Sequence, residues 1–300
     1  MSSSEKSTPK KLAKLTITTD KGLTTTTTTT ASPEDRPKPA LPHKPYGFDF
    51  YEAMGRPRLV VAPMVDQSEH AYRLQTRRHG AELCYTPMFH SRLFGENEKY
   101  REQFQTSPED RPLLVQFCGN DPDVMLRAAL LVQDRCDGVD INLGCPQGIA
   151  RKGNYGSFLL EKTDLLVRMV STLHHGLKVP VTCKIRLLPK MEDTLHLARS
   201  LEAAGCALLC VHGRTRDMKQ QHTGKCDWKA IRRVKDAVSI PVISNGGIGR
   251  REDVDKCLQV TGCEGVMTSE AILENAAFFD TPYPKGQGPT IDLQIQNAQE

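Results

Sequence analysis

Gly138-Val-Asp-Ile-Asn-Leu-Gly-Cys-Pro146 reads as a buried strand running into a loop that can carry chemistry. Val139 and Ile141 are β-branched residues of high strand propensity. Gly144 and Pro146 end the regular structure and leave the thiol of Cys145 on the loop just past the strand. An isolated cysteine there is also what a buried strand-to-helix turn looks like. Its neighbours favour a site: Asn142 lies three residues earlier, and Arg151-Lys152-Gly-Asn-Tyr-Gly156 follows. That second stretch is basic, contains glycine and carries an aromatic, which suits a mobile cover over an anionic ligand.

Working outward, strand patterns alternate with helical ones. The strand patterns are 59–64, 83–87, 112–119, the quoted stretch, 180–186, 207–212, 240–245 and 265–268. Helices are predicted over 68–79, 121–135, 163–174, 192–204, 228–237, 251–260 and 269–279. Asp121-Pro122 supplies a cap and a first-turn proline, Thr163 a further cap, and Gly80 and Gly205 are stops. Eight such strands predict an α/β fold of the (β/α)8 (TIM) barrel type. A doubly wound open sheet would carry a glycine-rich turn after its first strand, where this chain has Pro63-Met64-Val65.

The chain has 300 residues, 38% of them hydrophobic, enough for a barrel-sized core. Residues 1–45 are rich in Ser, Thr, Lys and Pro, with seven consecutive threonines from Thr24, and are expected to be a disordered tail. The barrel is expected over 46–280, followed by a low-complexity tail over 281–300. Forty Lys and Arg against 36 Asp and Glu give +4, a mild excess that permits nucleic acid without requiring it. The ten cysteines form no CxxC pair and no zinc pattern. With no signal-peptide pattern they read as reduced thiols inside the cell. No apolar run is long enough for a membrane span.

In a barrel the site forms at the C-terminal ends of the strands. Those ends carry Met64, Gln116, Asn142 with Cys145, Lys184, His212, Asn245-Gly246-Gly247 and Thr268-Ser269. The glycine amides and the helix start at Ser269 suit a phosphate, although they also describe a plain glycine turn. Gln116, Asn142 and Lys184 suit a flat polar heterocycle that becomes anionic on reduction, such as a flavin. Lys184 is equally placed to form a Schiff base or to pair with a carboxylate. Arg214 and Arg216 open a basic run to Lys235 and, with Arg151 and Lys152, predict a positive rim able to hold a phosphate backbone. The helix 229–235 also reads as a solvated basic face, and Trp228 as a packed core residue.

Taken together, the chain resembles the tRNA-dihydrouridine synthases over about 56–279. The resemblance rests on Ala62-Pro-Met64, Gln116-Phe-Cys-Gly119, Asn142-Leu-Gly-Cys-Pro146, Lys152-Gly-Asn-Tyr-Gly156, Lys184-Ile-Arg186, His212-Gly-Arg-Thr215 and Asn245-Gly-Gly247. Lys44-Pro-Tyr-Gly-Phe48 and Ala62-Pro-Met-Val-Asp-Gln-Ser68 resemble the eukaryotic branch acting on D-loop uridines 16 and 17. The resemblance implies an FMN enzyme that reduces tRNA uridine to 5,6-dihydrouridine with NADPH or NADH. It implies Pro63, Met64, Val65, Gln116, Asn142 and Lys184 around the flavin ring, His212, Asn245, Gly246, Gly247 and Ser269 at its phosphate end, and Cys145 as proton donor. Arg151, Lys152, Arg186, Arg214 and Arg216 would contact RNA. No metal is implied, and a monomer in the cytoplasm or nucleus is expected. Two departures stand out: Ser269-Glu270 where relatives carry Gly-Arg, and no sign of the helical tRNA-gripping domain that follows the barrel in relatives. Other readings are a flavin barrel acting on free pyrimidine, and an RNA-binding barrel or catalytically impaired isoform.

Overall fold

The computed structural model describes residues 15–18, 24–27, 44–219 and 222–280. The chain divides into two units, Met1–Ala40 and Leu41–Glu300. In the first, where the sequence predicts no regular structure, Leu15–Thr18 pairs antiparallel with Thr24–Thr27. The rest of the expected N-terminal tail up to residue 43, and the tail 281–300, lie outside the described residues.

The second unit is a closed parallel barrel. Its staves are β1 (Leu59–Val61), β2 (Leu83–Tyr85), β3 (Leu113–Cys118), β4 (Gly138–Leu143), β5 (Val181–Leu187), β6 (Cys206–Thr215), β7 (Val242–Asn245) and β8 (Gly265–Thr268). Each pairs in parallel with the next, and β8 closes onto β1 through Val266↔Leu59. The β2 stave resumes as Phe89–His90, which pairs with the upper half of β3. Thr86-Pro87-Met88 interrupts it because Pro87 has no N–H for the ladder. The Thr86 hydroxyl instead accepts the Gln116 N–H at 3.1 Å.

Two apolar layers follow from strand alternation. Outward residues such as Val139, Ile141, Val181, Cys183 and Val211 pack under the helices. Inward residues such as Val60, Leu83, Leu114, Leu208, Ile243 and Met267 fill the barrel. A helix not foreseen in the sequence, Phe48–Ala53, plugs the N-terminal end with Phe50, Tyr51 and Met54. A Cβ on Gly138, the first residue of β4, would lie 2.8 Å from Leu114 and 3.1 Å from the Phe50 ring, so only glycine fits there.

The expected helices form over His70–Arg78, Pro122–Leu130, Thr163–Gly176, Met191–Ala203, Trp228–Lys235, Arg251–Thr261 and Glu270–Glu274. Asp121 caps the second of these, accepting from the Asp123 and Val124 amides. Thr163 is not a cap; it is the first helical residue, and Lys162 holds the cap position without a side-chain bond. The last helix is shorter than expected because the Asn275 side chain accepts the Ala277 N–H and turns the chain. Among the described residues no helix is long and apolar enough to cross a membrane.

Candidate active site

Alternation along β4 sends Asp140 and Asn142 into the barrel. Register sets Asp140 beside Gln116 of β3 and Thr182 of β5, and Asn142 beside Lys184. A continuous column of hydrogen bonds results. Thr182 Oγ1 donates to Asp140 Oδ1 at 2.6 Å, and Gln116 Nε2 to Asp140 Oδ2 at 2.8 Å. Asn142 Nδ2 donates to Gln116 Oε1 at 2.8 Å. Asn142 Oδ1 then accepts the Gly144 and Cys145 N–H groups at 3.2 and 2.9 Å. Burial lifts the Asp140 carboxyl to about 6, against the bonds from Thr182 and Gln116 and the charge of Lys184.

Cys145 is thus held from below through its amide. It is also held from the side, since its carbonyl accepts from the Ser157 amide at 3.1 Å and the Ser157 hydroxyl at 2.9 Å. Gly156 makes that approach possible: at φ +64 a Cβ would lie 2.7 Å from the Cys145 carbonyl oxygen. The stretch between, predicted as a loop, folds as a helix over Gly148–Gly153 and a 3-10 turn over Gly156–Leu159, with Asn154 left-handed between them. Arg151 and Lys152 lie exposed on that helix. The Cys145 thiol stays partly accessible, whereas its neighbour Cys118 is buried, its thiol pushed up to about 12 mainly by burial.

On the far side of the mouth, Lys184 Nζ donates to Asn245 Oδ1 at 2.8 Å, and Asn245 Nδ2 to the Met267 carbonyl at 3.0 Å. Burial, then the charges of Lys184, Arg186 and Arg214, push His212 down to about 2, so its imidazole is neutral. His212 Nε2 can then accept from Arg214 Nη1 at 3.3 Å. Gly246 and Gly247 both have positive φ, and a Cβ on Gly246 would come within 2.8 Å of the His212 ring. Ser269 stands at the start of the Glu270–Glu274 helix, and Glu270 is exposed. Pro63 and Met64 are half-buried after β1, while Val65 is 53% exposed.

The basic residues divide by what they touch. Arg186 is buried, donating from Nε to the Gly144 carbonyl at 2.8 Å and from Nη1 to the Thr215 and Met218 carbonyls. Lys219 donates to the Pro146 carbonyl at 2.7 Å. Arg216 donates to the Ser157 carbonyl, pairs with Glu161 at 2.9 Å, and lies over the Phe158 ring. Part of the basic run therefore braces the Cys145 loop.

A family model described as dihydrouridine synthase (Dus) matches residues 60–292. The chain belongs to the dihydrouridine synthase family. It is 53% identical over 249 residues to a rat (Rattus norvegicus) protein named tRNA-dihydrouridine(16/17) synthase [NAD(P)(+)]-like, covering 82% of this chain and 56% of that one. It is 48% identical over 244 residues to the tRNA-dihydrouridine(16/17) synthase [NAD(P)(+)] of Schizosaccharomyces pombe, covering 80% of this chain and 61% of that one. The chain thus spans little more than half the length of these relatives. Among solved structures, a 2-naphthoyl-CoA reductase complex superposes with a TM-score of 0.57 at 13% identity, over 74% of this chain and 49% of that one. TcOYE with pHBA superposes at 0.53 and 10% identity, over 81% and 88%. At such identities the likeness is one of fold.

Three features of this dihydrouridine synthase barrel escape sequence reading. Trp228 donates its indole N–H to the Gly246 carbonyl at 3.0 Å and so fixes the glycine turn. Arg73 and Asp110 form a fully buried ion pair at 2.6 Å. Arg73 also donates to the Ser68 carbonyl, and Ser68 Oγ accepts the Met64 N–H, so the pair supports the loop after β1. Asp140 lies inside the quoted stretch, but only its register shows what it holds. Among the described residues no group of three or more His, Cys, Asp or Glu could hold a metal ion.

Proposed function

We propose that this chain reduces a uridine of tRNA to 5,6-dihydrouridine, using FMN and NADPH or NADH, at positions 16 and 17. The family membership, together with the relatives' names, supports the reaction and the nucleotide reductant. The residues at the mouth suit FMN. Positive-φ Gly246 lies against a neutral imidazole, His212, which stands in the field of the cations Lys184, Arg186 and Arg214, a set suited to a phosphate. Gln116, Asn142 and Lys184 suit the polar edge of an isoalloxazine, with Lys184 offsetting the negative charge of its reduced form. FMN, when bound and reduced, supplies the hydride that reaches C6 of the uracil.

That transfer leaves negative charge across C5 and O4. The Cys145 thiol delivers a proton to C5 as general acid. Asn142 and Ser157 fix its backbone from two sides, which lowers the entropic cost of aligning thiol and base. A duplexed or stacked uridine cannot reach a thiol at a barrel mouth, so the base must leave its stack. Arg214 and the exposed Arg151 and Lys152 offer the positive charge that would hold flanking phosphates.

The doubly clamped, accessible thiol above the polar column is the observation that carries this reading. The experiment incubates the protein with FMN, NADPH and a tRNA transcript and seeks a gain of two hydrogens in a D-loop uridine by mass spectrometry. The wild type should produce it and Cys145→Ala should not. Equal yields from both would refute the role of the thiol.

A further inference from the structure

The column beneath Cys145 has a donor–acceptor logic that fixes its direction from both ends. At the top, the Gly144 and Cys145 amides can only donate, so Asn142 must present its oxygen to them and its NH2 downward. At the bottom, an ionised Asp140 can only accept, so Gln116 must present its NH2 downward and its oxygen up to Asn142. Every side chain of the column is buried, where a donor facing a donor is costly.

We propose that Asp140 is a positioning residue: as the buried acceptor at the foot of the column, it sets the amide orientation of Gln116 and thereby the seat of the flavin ring and of Cys145. This inference rests on the proposed function for what Gln116 contacts. The other ionisable groups facing Asp140 are Tyr85 of β2, Cys183 and Lys184 of β5 and Cys210 of β6, none of them a carboxylate that could take its place.

Thr182 makes the idea testable. Asn at 140 can still accept from Gln116, provided its NH2 finds an acceptor on the other side. The Thr182 hydroxyl can rotate to be that acceptor. Val at 182 leaves the wild-type carboxylate still accepting from Gln116. Only the double variant sets up a conflict, because the NH2 introduced at 140, without the Thr182 acceptor, must compete with Asn142 for Gln116 Oε1 unless the buried Tyr85 hydroxyl takes it. The single variants Asp140→Asn and Thr182→Val should therefore be mild and their combination severe, a coupling that independent packing effects do not produce.

Two readouts are needed: FMN affinity by fluorescence quenching, and the rate at which a methanethiosulfonate reagent modifies Cys145, followed by peptide mass spectrometry. Each single variant should stay within about threefold of wild type in both. The double variant should lose about tenfold in FMN affinity and change the Cys145 rate at least threefold, while still unfolding in one cooperative transition. Asp140→Leu, similar in size but without an acceptor, should behave like the double variant. Additive, mild effects in the double variant, or an Asp140→Asn as impaired as Asp140→Leu, would overturn the proposal. If the wild type binds no FMN, the proposed function fails, while the Cys145 rates still report on Asp140.

Discussion

Asn142 performs two tasks with one amide: its NH2 orients Gln116 and its oxygen seats Cys145. Cys145→Ala leaves both bonds intact, since they involve backbone and amide atoms. That variant should retain FMN at wild-type affinity while reduction of tRNA falls by at least two orders of magnitude, as measured by dihydrouridine yield. Trp228 acts further out. Trp228→Phe keeps the packing but removes the bond to the Gly246 carbonyl, worth about 1 kcal/mol. Equilibrium titration should show FMN affinity weakened about fivefold; unchanged affinity would mean that the glycine turn needs no such support.

At the scale of the element, the Cys145 loop is a braced unit. Arg186, Lys219 and Arg216 donate to the carbonyls of Gly144, Pro146 and Ser157. The double change Arg216→Ala and Lys219→Ala should speed hydrogen exchange in residues 144–157 with little change elsewhere. Exchange unaltered there would leave these residues to RNA alone. The β1 loop has its own brace. Arg73→Met leaves the buried Asp110 with only Arg77 and the Thr106 hydroxyl, each at 3.2 Å, and should cost roughly 3 kcal/mol in urea denaturation. Sequence showed the elements well and the braces poorly. The unbroken apolar run 206–211 and the apolar alternation of Val139, Ile141 and Leu143 are patterns of buried strands, so the barrel followed. The plug Phe48–Ala53 is too short for a helical period, and whether a guanidinium meets solvent or a carbonyl depends on how the β5 and β6 loops approach, which no local pattern encodes. Strand ends did bring Gln116, Asn142, Lys184, His212 and Asn245 to one mouth: register pairs Asn142 with Lys184 and His212 with Asn245, and side-chain bonds join Gln116 to Asn142 and Lys184 to Asn245.

For the whole molecule, two buried groups set opposing pH dependences in the protein without FMN. His212 is held at about 2 when folded and returns to about 6.5 when unfolded. The unfolded chain therefore binds the proton first, and stability falls below about pH 6.5 by up to ~1.4 kcal/mol per unit. Asp140 is raised from 3.8 to about 6. Its folded form binds the proton first, so its contribution is greatest below about pH 4 and is lost as pH rises through about 6. Between those limits the two offset each other. Asp140→Asn should lose stability more steeply than wild type from pH 6 to 4 in urea titrations; parallel curves would contradict the assignment of that acid response to this pair.

Flavin-dependent reduction of tRNA is tested by an anaerobic absorbance spectrum of the purified protein with FMN, followed on adding NADPH and then tRNA lacking dihydrouridine. A bound flavin spectrum that NADPH bleaches and tRNA restores is expected, with dihydrouridine appearing in step. A folded protein that acquires no flavin absorbance in excess FMN would contradict that dependence.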